Sequence, residues 1–323
     1  MSSNSNPKSS VSQGYSIAFA TAAVLSLTGI LIRYLTETYA LPALVLAFWR
    51  EAFVVVTLLT LLLVLRPSLI RVERRHLRYL LVFGLVLAGF NAIWTLSVSL
   101  NGAAIATVLV FSSAALTALL GRWLLKERLD WVKVVAILAS LAGCVLVSDA
   151  LNEASRSANL VGIVAGLLSG LGYAAYSLMG RSASQRGLNP WTTLLYAFGF
   201  GSLFMLGFNL QPWIPLPGTA AAPAELLWLG RSWAGWAILF ILAAGPTLGG
   251  YGLWNVALTY LPASVVNLVA TVEPVFTAIV AYLFLHERLT GTQILGSALI
   301  LAGVAFLRIY DGWLEKRAKA LAS

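Results

Sequence analysis

Arg50, Glu51 and Glu273 are charged residues set deep inside long apolar stretches of the sequence. In a membrane-spanning helix an ionisable side chain costs several kcal/mol unless it is paired or wetted, so each marks a candidate contact for an ion, a proton or a solute. Arg50 and Glu51 are adjacent, and neighbours on a helix project about 100° apart, which makes them poor partners for one another. Arg50 is therefore expected to find a partner elsewhere, as a structural ion pair that orients helices. Glu273 precedes Pro274, which cannot donate the usual helical hydrogen bond, so the two predict a hinge with a carboxylate beside it. That carboxylate suits the cation of a solute or a coupling proton. Glu51 is the weakest of the three candidates.

Polar and aromatic side chains recur at helical spacing in other apolar stretches. Asn91, Trp94 and Ser97 form one set, Tyr173 and Tyr176 a second, and Tyr251, Trp254 and Asn255 a third. The third follows Pro246, a further candidate hinge set among Gly245, Gly249, Gly250 and Gly252, where small residues let helices approach or bend. Aromatic faces beside amides and hydroxyls can line a cavity for a small zwitterion or a flat organic cation. Signatures of covalent chemistry are missing. The sequence has no phosphate-cradling Gly-Lys-Ser or Gly-Lys-Thr, no His-Glu-x-x-His or Cys pair for a metal, and a single cysteine, Cys144, which excludes an intrachain disulfide. No enzymatic activity, metal or cofactor is expected.

The elements that must hold these residues are membrane helices. The chain is 59% hydrophobic and 10% charged, with a mean hydropathy of +0.87, against about 25% charged residues in soluble proteins. A bilayer core needs roughly 20 apolar residues per helix, and ten stretches qualify: 15–35, 41–65, 77–100, 102–125, 130–148, 159–180, 190–210, 234–259, 262–285 and 290–310. With the N-terminus inside, only Arg33, Arg156, Arg231 and Arg288 fall outside and Arg50 within a span; the rest of the 21 Lys and Arg lie in cytoplasmic segments. The net charge of +9 thus reports orientation, with both termini cytoplasmic, rather than a nucleic-acid partner.

A shift of 160 residues places Lys126-Glu127-Arg128-Leu129 on His286-Glu287-Arg288-Leu289, Trp94 on Trp254, and Leu141-Ala142-Gly143 on Leu301-Ala302-Gly303. A period this long predicts duplication of a whole bundle. Five spans is an odd number, so the second half enters the membrane inverted. The expected fold is all-α integral membrane, with ten transmembrane helices as two inverted five-helix repeats around a central cavity. Its parts are a disordered cytosolic tail at 1–14, a first repeat at 15–148, an extracytoplasmic linker at 149–158, a second repeat at 159–310 and a cytosolic tail at 311–323. Residues 211–233 form the one long loop and are expected as a simple outer connector.

Ten spans in two inverted fives, a Glu-x-Leu step after the fourth and ninth spans, Arg50 in the second and Glu273-Pro274 in the ninth together resemble the drug/metabolite transporter superfamily, EamA type. The resemblance covers roughly residues 15–310, and Gly296 to Gly303 matches its glycine spacing in the last helix. The first half departs at Ala136, where a glycine is matched, and at Ser113-Ala114, which stands where the second half has Glu273-Pro274, so a first-half kink stays open. More finely, the chain is similar to the bacterial inner-membrane exporters of aromatic and other amino acids, the YddG type. The resemblance implies a cavity lined by spans 1, 3, 4, 6, 8 and 9, with spans 5 and 10 as structural staves and span 2 peripheral. Carried over by span, it makes Asn91, Trp94, Ser97, Tyr173, Tyr176, Tyr251, Trp254 and Glu273 the substrate candidates.

The expected function is export of aromatic and other neutral amino acids, and of related small metabolites, across the bacterial inner membrane by alternating access. Phosphorylated solutes would call for clustered Lys or Arg at mid-depth, and only Arg50 is there. A multidrug or organic-cation exporter on the same fold is the near alternative, and a non-transporting channel or scaffold the distant one. Both halves share one chain, which suits a monomer.

Overall fold

The computed structural model describes residues 7–147, 160–211, 213, 216–220, 222–285 and 290–320. The expected linker 149–158, the tetrad His286 to Leu289 and the outermost residues of both tails lie outside the described residues. Described elements are helical: α1 (Pro7–Tyr39), α2 (Ala43–Leu65), α3 (Arg74–Phe111), α4 (Ser113–Leu124), α5 (Trp131–Val147), α6 (Leu160–Gln185), α7 (Pro190–Leu210), α8 (Trp233–Leu242), α9 (Leu248–Tyr260), α10 (Ala263–Ala270), α11 (Glu273–Leu285) and α12 (Gly291–Ala320). Six helical segments are long and apolar enough to cross a membrane, and four shorter apolar ones accompany them. Each matches one stretch expected from the sequence. The protein is a multi-pass membrane protein.

Boundaries differ from expectation in instructive places. α1 already begins at Pro7, inside the stretch expected as a disordered tail, because proline is well tolerated in a first helical turn. α12 runs on to Ala320, through most of the expected C-terminal tail. α3 is continuous over two expected spans, yet it cannot be straight. A methyl added at Gly166 would lie 2.8 Å from Ser97 Oγ and 2.7 Å from Leu109 Cβ, and a straight helix would hold those two residues about 18 Å apart. The chain therefore folds back between them, and α6 packs against both limbs.

The eighth and ninth stretches are each interrupted. Between α8 and α9 a wider π-type turn, Ala243–Thr247, contains Pro246; a proline lacks the N–H that an α-turn would spend there. α10 and α11 are separated by a turn at Thr271 and Val272, and α3 and α4 by Ser112. Ser112 and Val272 are 160 residues apart, so the breaks fall at matched positions and the first-half kink is present although no proline marks it.

α5 and α12 pack closely, and their contacts are reciprocal. A methyl on Gly143 would meet Gly296 O at 2.7 Å, and one on Gly303 would meet Ala136 O at 3.0 Å. Ascending positions on α5 meet descending positions on α12, so the two helices run antiparallel.

The long loop is strapped down rather than free. Leu44 N–H donates to Gly218 O (2.9 Å), Asn209 Nδ2 to Leu44 O (3.0 Å) and Ala220 N–H to Asn209 Oδ1 (3.3 Å). Trp49 Nε1 donates to Leu226 O (2.6 Å) and Trp228 Nε1 to Tyr39 O (3.0 Å). Ala220 and Leu229 share a small core with Leu35, Leu41 and Leu239.

Candidate functional site

α6 and α9 bring five of the expected residues into one cluster. Tyr173 and Tyr176 lie one turn apart on α6, Tyr251 and Trp254 one turn apart on α9. Tyr173 packs on Trp254 at 5.1 Å between ring centres, and Tyr176 meets Tyr251 edge-on at 5.6 Å. Asn255 Nδ2 donates to Tyr176 Oη (3.2 Å) and to Tyr251 O (3.0 Å). Three phenylalanines without a flag in the sequence complete the cluster: Phe90 stacks on Tyr173 at 5.2 Å, Phe83 lies 4.9 Å from Tyr176 and Phe198 meets Tyr251 at 5.2 Å. Nothing but their spacing in apolar runs could have flagged them.

Glycines make this approach possible. A methyl on Gly172 would lie 2.7 Å from Phe90 Cβ, and one on Gly180 would lie 2.6 Å from Leu258 and 3.2 Å from Asn255 Oδ1. Within the cluster two polar atoms are buried without a hydrogen-bond partner among the described residues: Trp254 Nε1, a donor, and Asn255 Oδ1, an acceptor. They come from consecutive residues. Leaving such groups unpaired costs about 1–3 kcal/mol each, so a solute that engages both gains more than aromatic contact alone provides.

Glu273 opens α11 directly after the Thr271–Val272 turn and is half-buried. It lies within electrostatic reach of Tyr173, Tyr251 and Cys144. Pro274 is buried in the first turn of that helix, where its missing N–H leaves no intrahelical bond unmade.

The remaining expected residues lie elsewhere. Asn91 is not free to meet a solute: Arg50 Nη2 donates to its Oδ1 (3.1 Å) and its Nδ2 donates to Glu51 Oε1 (2.6 Å). This corrects the expected ion pair of Arg50. Among the described residues the arginine has no carboxylate within 4 Å, and an amide relays its charge to the carboxylate next to it in sequence. Glu51, rated weakest from sequence, is fully buried. Ser97 spends its hydroxyl on Gly162 O (2.8 Å), tying α3 to α6. Trp94 is half-buried against the same core without joining the ring contacts found among the described residues.

At one end of the cluster the α9–α10 turn is gripped from both sides. Glu127 accepts from Ala263 N–H (2.8 Å), Ser264 N–H (3.3 Å) and Ser264 Oγ (2.5 Å), a carboxylate at the positive end of α10. Arg181 Nη1 donates to the last carbonyls of α9, Leu258 O (2.7 Å) and Thr259 O (3.2 Å). Lys126, at a left-handed φ of 55°, turns the chain so that Glu127 follows α4 directly into this position.

Comparison with known proteins agrees with this architecture. The chain is 30% identical over 56% of its length to an uncharacterized transporter of Archaeoglobus fulgidus, and spans 58% of that relative. It is 29% identical to the threonine/homoserine exporter RhtA of Salmonella typhimurium, over 76% of this chain and 75% of that one. A solved crystal structure is similar in fold, with a TM-score of 0.70 at 18% identity, over 91% of this chain and 96% of the other. The family model described as EamA-like transporter family matches residues 12–149 and again residues 160–309. Two matches on one chain are the duplication that the 160-residue shift indicates, and the chain belongs to the EamA-like transporter family.

Proposed function

We propose that the protein is a secondary exporter of neutral and aromatic amino acids in a bacterial inner membrane, with both termini cytoplasmic. It works by alternating access between two inverted five-helix repeats. The observation that carries the substrate class is the unspent pair at Trp254 and Asn255 among stacked rings. A donor for a carboxylate, an acceptor for an ammonium and a flat apolar wall are the three needs of an aromatic or neutral amino acid. RhtA, a relative by sequence, is itself named for amino-acid export. The antiparallel crossing of α5 and α12, with its reciprocal contacts, supports the inverted arrangement, because a pseudo-two-fold axis makes such contacts self-complementary. Tyr173, Tyr176, Tyr251, Trp254, Asn255 and Glu273 would contact substrate, while Pro246 and Pro274 mark the places where the halves flex.

Reconstitution in liposomes tests this reading. Neutral and aromatic amino acids should be transported with saturation, and hexose phosphates should neither cross nor compete. Trp254→Ala should lower the flux at least tenfold, with Trp254→Phe retaining more. Glu273→Gln should also transport poorly while remaining monodisperse. Unchanged kinetics in Trp254→Ala would remove the assigned site. A second reading, export of organic cations, is favoured by the ring cluster alone; transport of a flat quaternary ammonium without competition from any amino acid would establish it instead.

A further inference from the structure

Away from the ring cluster, an aromatic cavity of about 400 Å³ opens between α2 and α8 beneath the strapped loop, within the size range of small-molecule sites. Its wall is built from Trp49, Phe53, Trp233 and Trp236, and Arg231 stands among them. The indoles of Trp49 and Trp236 cross edge-on at 5.0 Å, with Phe53 at 5.4 Å from Trp49. Both of these indole N–H groups are already spent, on Leu226 O (2.6 Å) and Gly230 O (3.2 Å). What they offer the cavity is ring surface without a donor. Arg231 is exposed, and among the described residues no carboxylate lies within 4 Å of it.

The place of the cavity is as specific as its chemistry. Trp233 is the first residue of α8. Trp49 lies six residues into α2, about 9 Å along its axis. The start of α8 suits the headgroup boundary, where indole rings settle, and Trp49, next to Arg50, stands deeper along the apolar part of α2. From Phe53 the ring contacts lead to Phe240 at 5.6 Å, and Phe240, Ile241 and Val56 are exposed apolar side chains.

From this arrangement we infer a binding site for an anionic phospholipid. Its phosphodiester sits on Arg231, whose guanidinium can take two phosphate oxygens at once. Its glycerol and first methylenes lie over the indole wall, and an acyl chain follows Phe53 and Phe240 along α8. The site does not depend on which solute the protein transports.

Native mass spectrometry of the full chain, released from mixed micelles of equimolar phosphatidylglycerol, phosphatidylethanolamine and phosphatidylcholine, tests the site. The wild type should retain phosphatidylglycerol at least fivefold over either other lipid. Arg231→Gln, an exposed position that should fold normally, should lose that preference, and Trp233→Ala should weaken retention of all three. Millimolar inorganic phosphate or glycerol phosphate should not displace the lipid. Equal retention of the three lipids by the wild type, a preference that survives Arg231→Gln, or displacement by soluble phosphate would each overturn the inference.

Discussion

Arg50, Asn91 and Glu51 bury two ionisable groups with one amide between them, and Arg50 Nε and Glu51 Oε2 have no hydrogen-bond partner among the described residues. Such a set holds α2 to α3 only while complete. Arg50→Met should cost about 3–5 kcal/mol, because it leaves the carboxylate buried beside the amide alone. Arg50→Met with Glu51→Leu should recover most of that loss, since apolar replacement of a whole buried ionic set is often neutral. Thermal unfolding in detergent measures both; a double variant as unstable as the sum of its singles shows that the groups are not coupled. The sequence announced Arg50 as a group in need of a partner, and its depth was readable from helical rise. It could not announce Asn91 as that partner, because a polar residue on a membrane helix looks the same whether it meets a solute or a neighbouring helix. Tyr173, Tyr176, Tyr251, Trp254 and Asn255 were legible because one-turn spacing forces each set onto one helix face; which face meets which was not.

At the level of elements, the break between α9 and α10 is held by side chains from distant parts of the chain. Glu127 arrives from the α4–α5 connection and Arg181 from α6, each matched to the helix terminus it touches. A carboxylate cap at a helix N-terminus contributes about 1–2 kcal/mol, which is a factor of about 5–30 in an equilibrium. Glu127→Ala should therefore raise the rate at which a cysteine placed at the buried Ala263 reacts with a water-soluble maleimide by about that factor, in a Cys144→Ser background. An unchanged rate would mean that this end is held closed by packing alone. The separate break between α10 and α11, matched in the first half between α3 and α4, was half legible. Pro274 marked it in the second half, while in the first half Ser112 does the same without a proline, because packing of Leu109 and Ser112 against Gly166 and Gly170 decides the backbone there.

Over the whole molecule, the duplication was legible in a charged tetrad and a tryptophan that recur after 160 residues, and the family model matches once in each half. Sidedness rests on charge asymmetry alone. A cysteine at exposed Ala224 should label with an impermeant maleimide in intact cells, and one at exposed Ser68 only after permeabilisation, both in the Cys144→Ser background. Labelling at Ser68 in sealed cells reverses the orientation. The long loop was expected as a connector, and its prolines and alanines carry no outward sign of the bonds that fasten it to α1 and α2. Each of those bonds ends on a backbone group, which every sequence possesses alike.

That strapping limits how the molecule can move. The start of α2 exchanges hydrogen bonds with the end of α7 and with Gly218, and Trp49 and Trp228 reach across the gap between the α1–α2 turn and the loop before α8. Separating these four helix ends would break several bonds together, one of them buried between Asn209 and Leu44, at about 1 kcal/mol for each. In kinematic terms α1, α2, α7 and α8 are one linkage at this end of the bundle, and whatever opens a passage there must swing past them rather than part them.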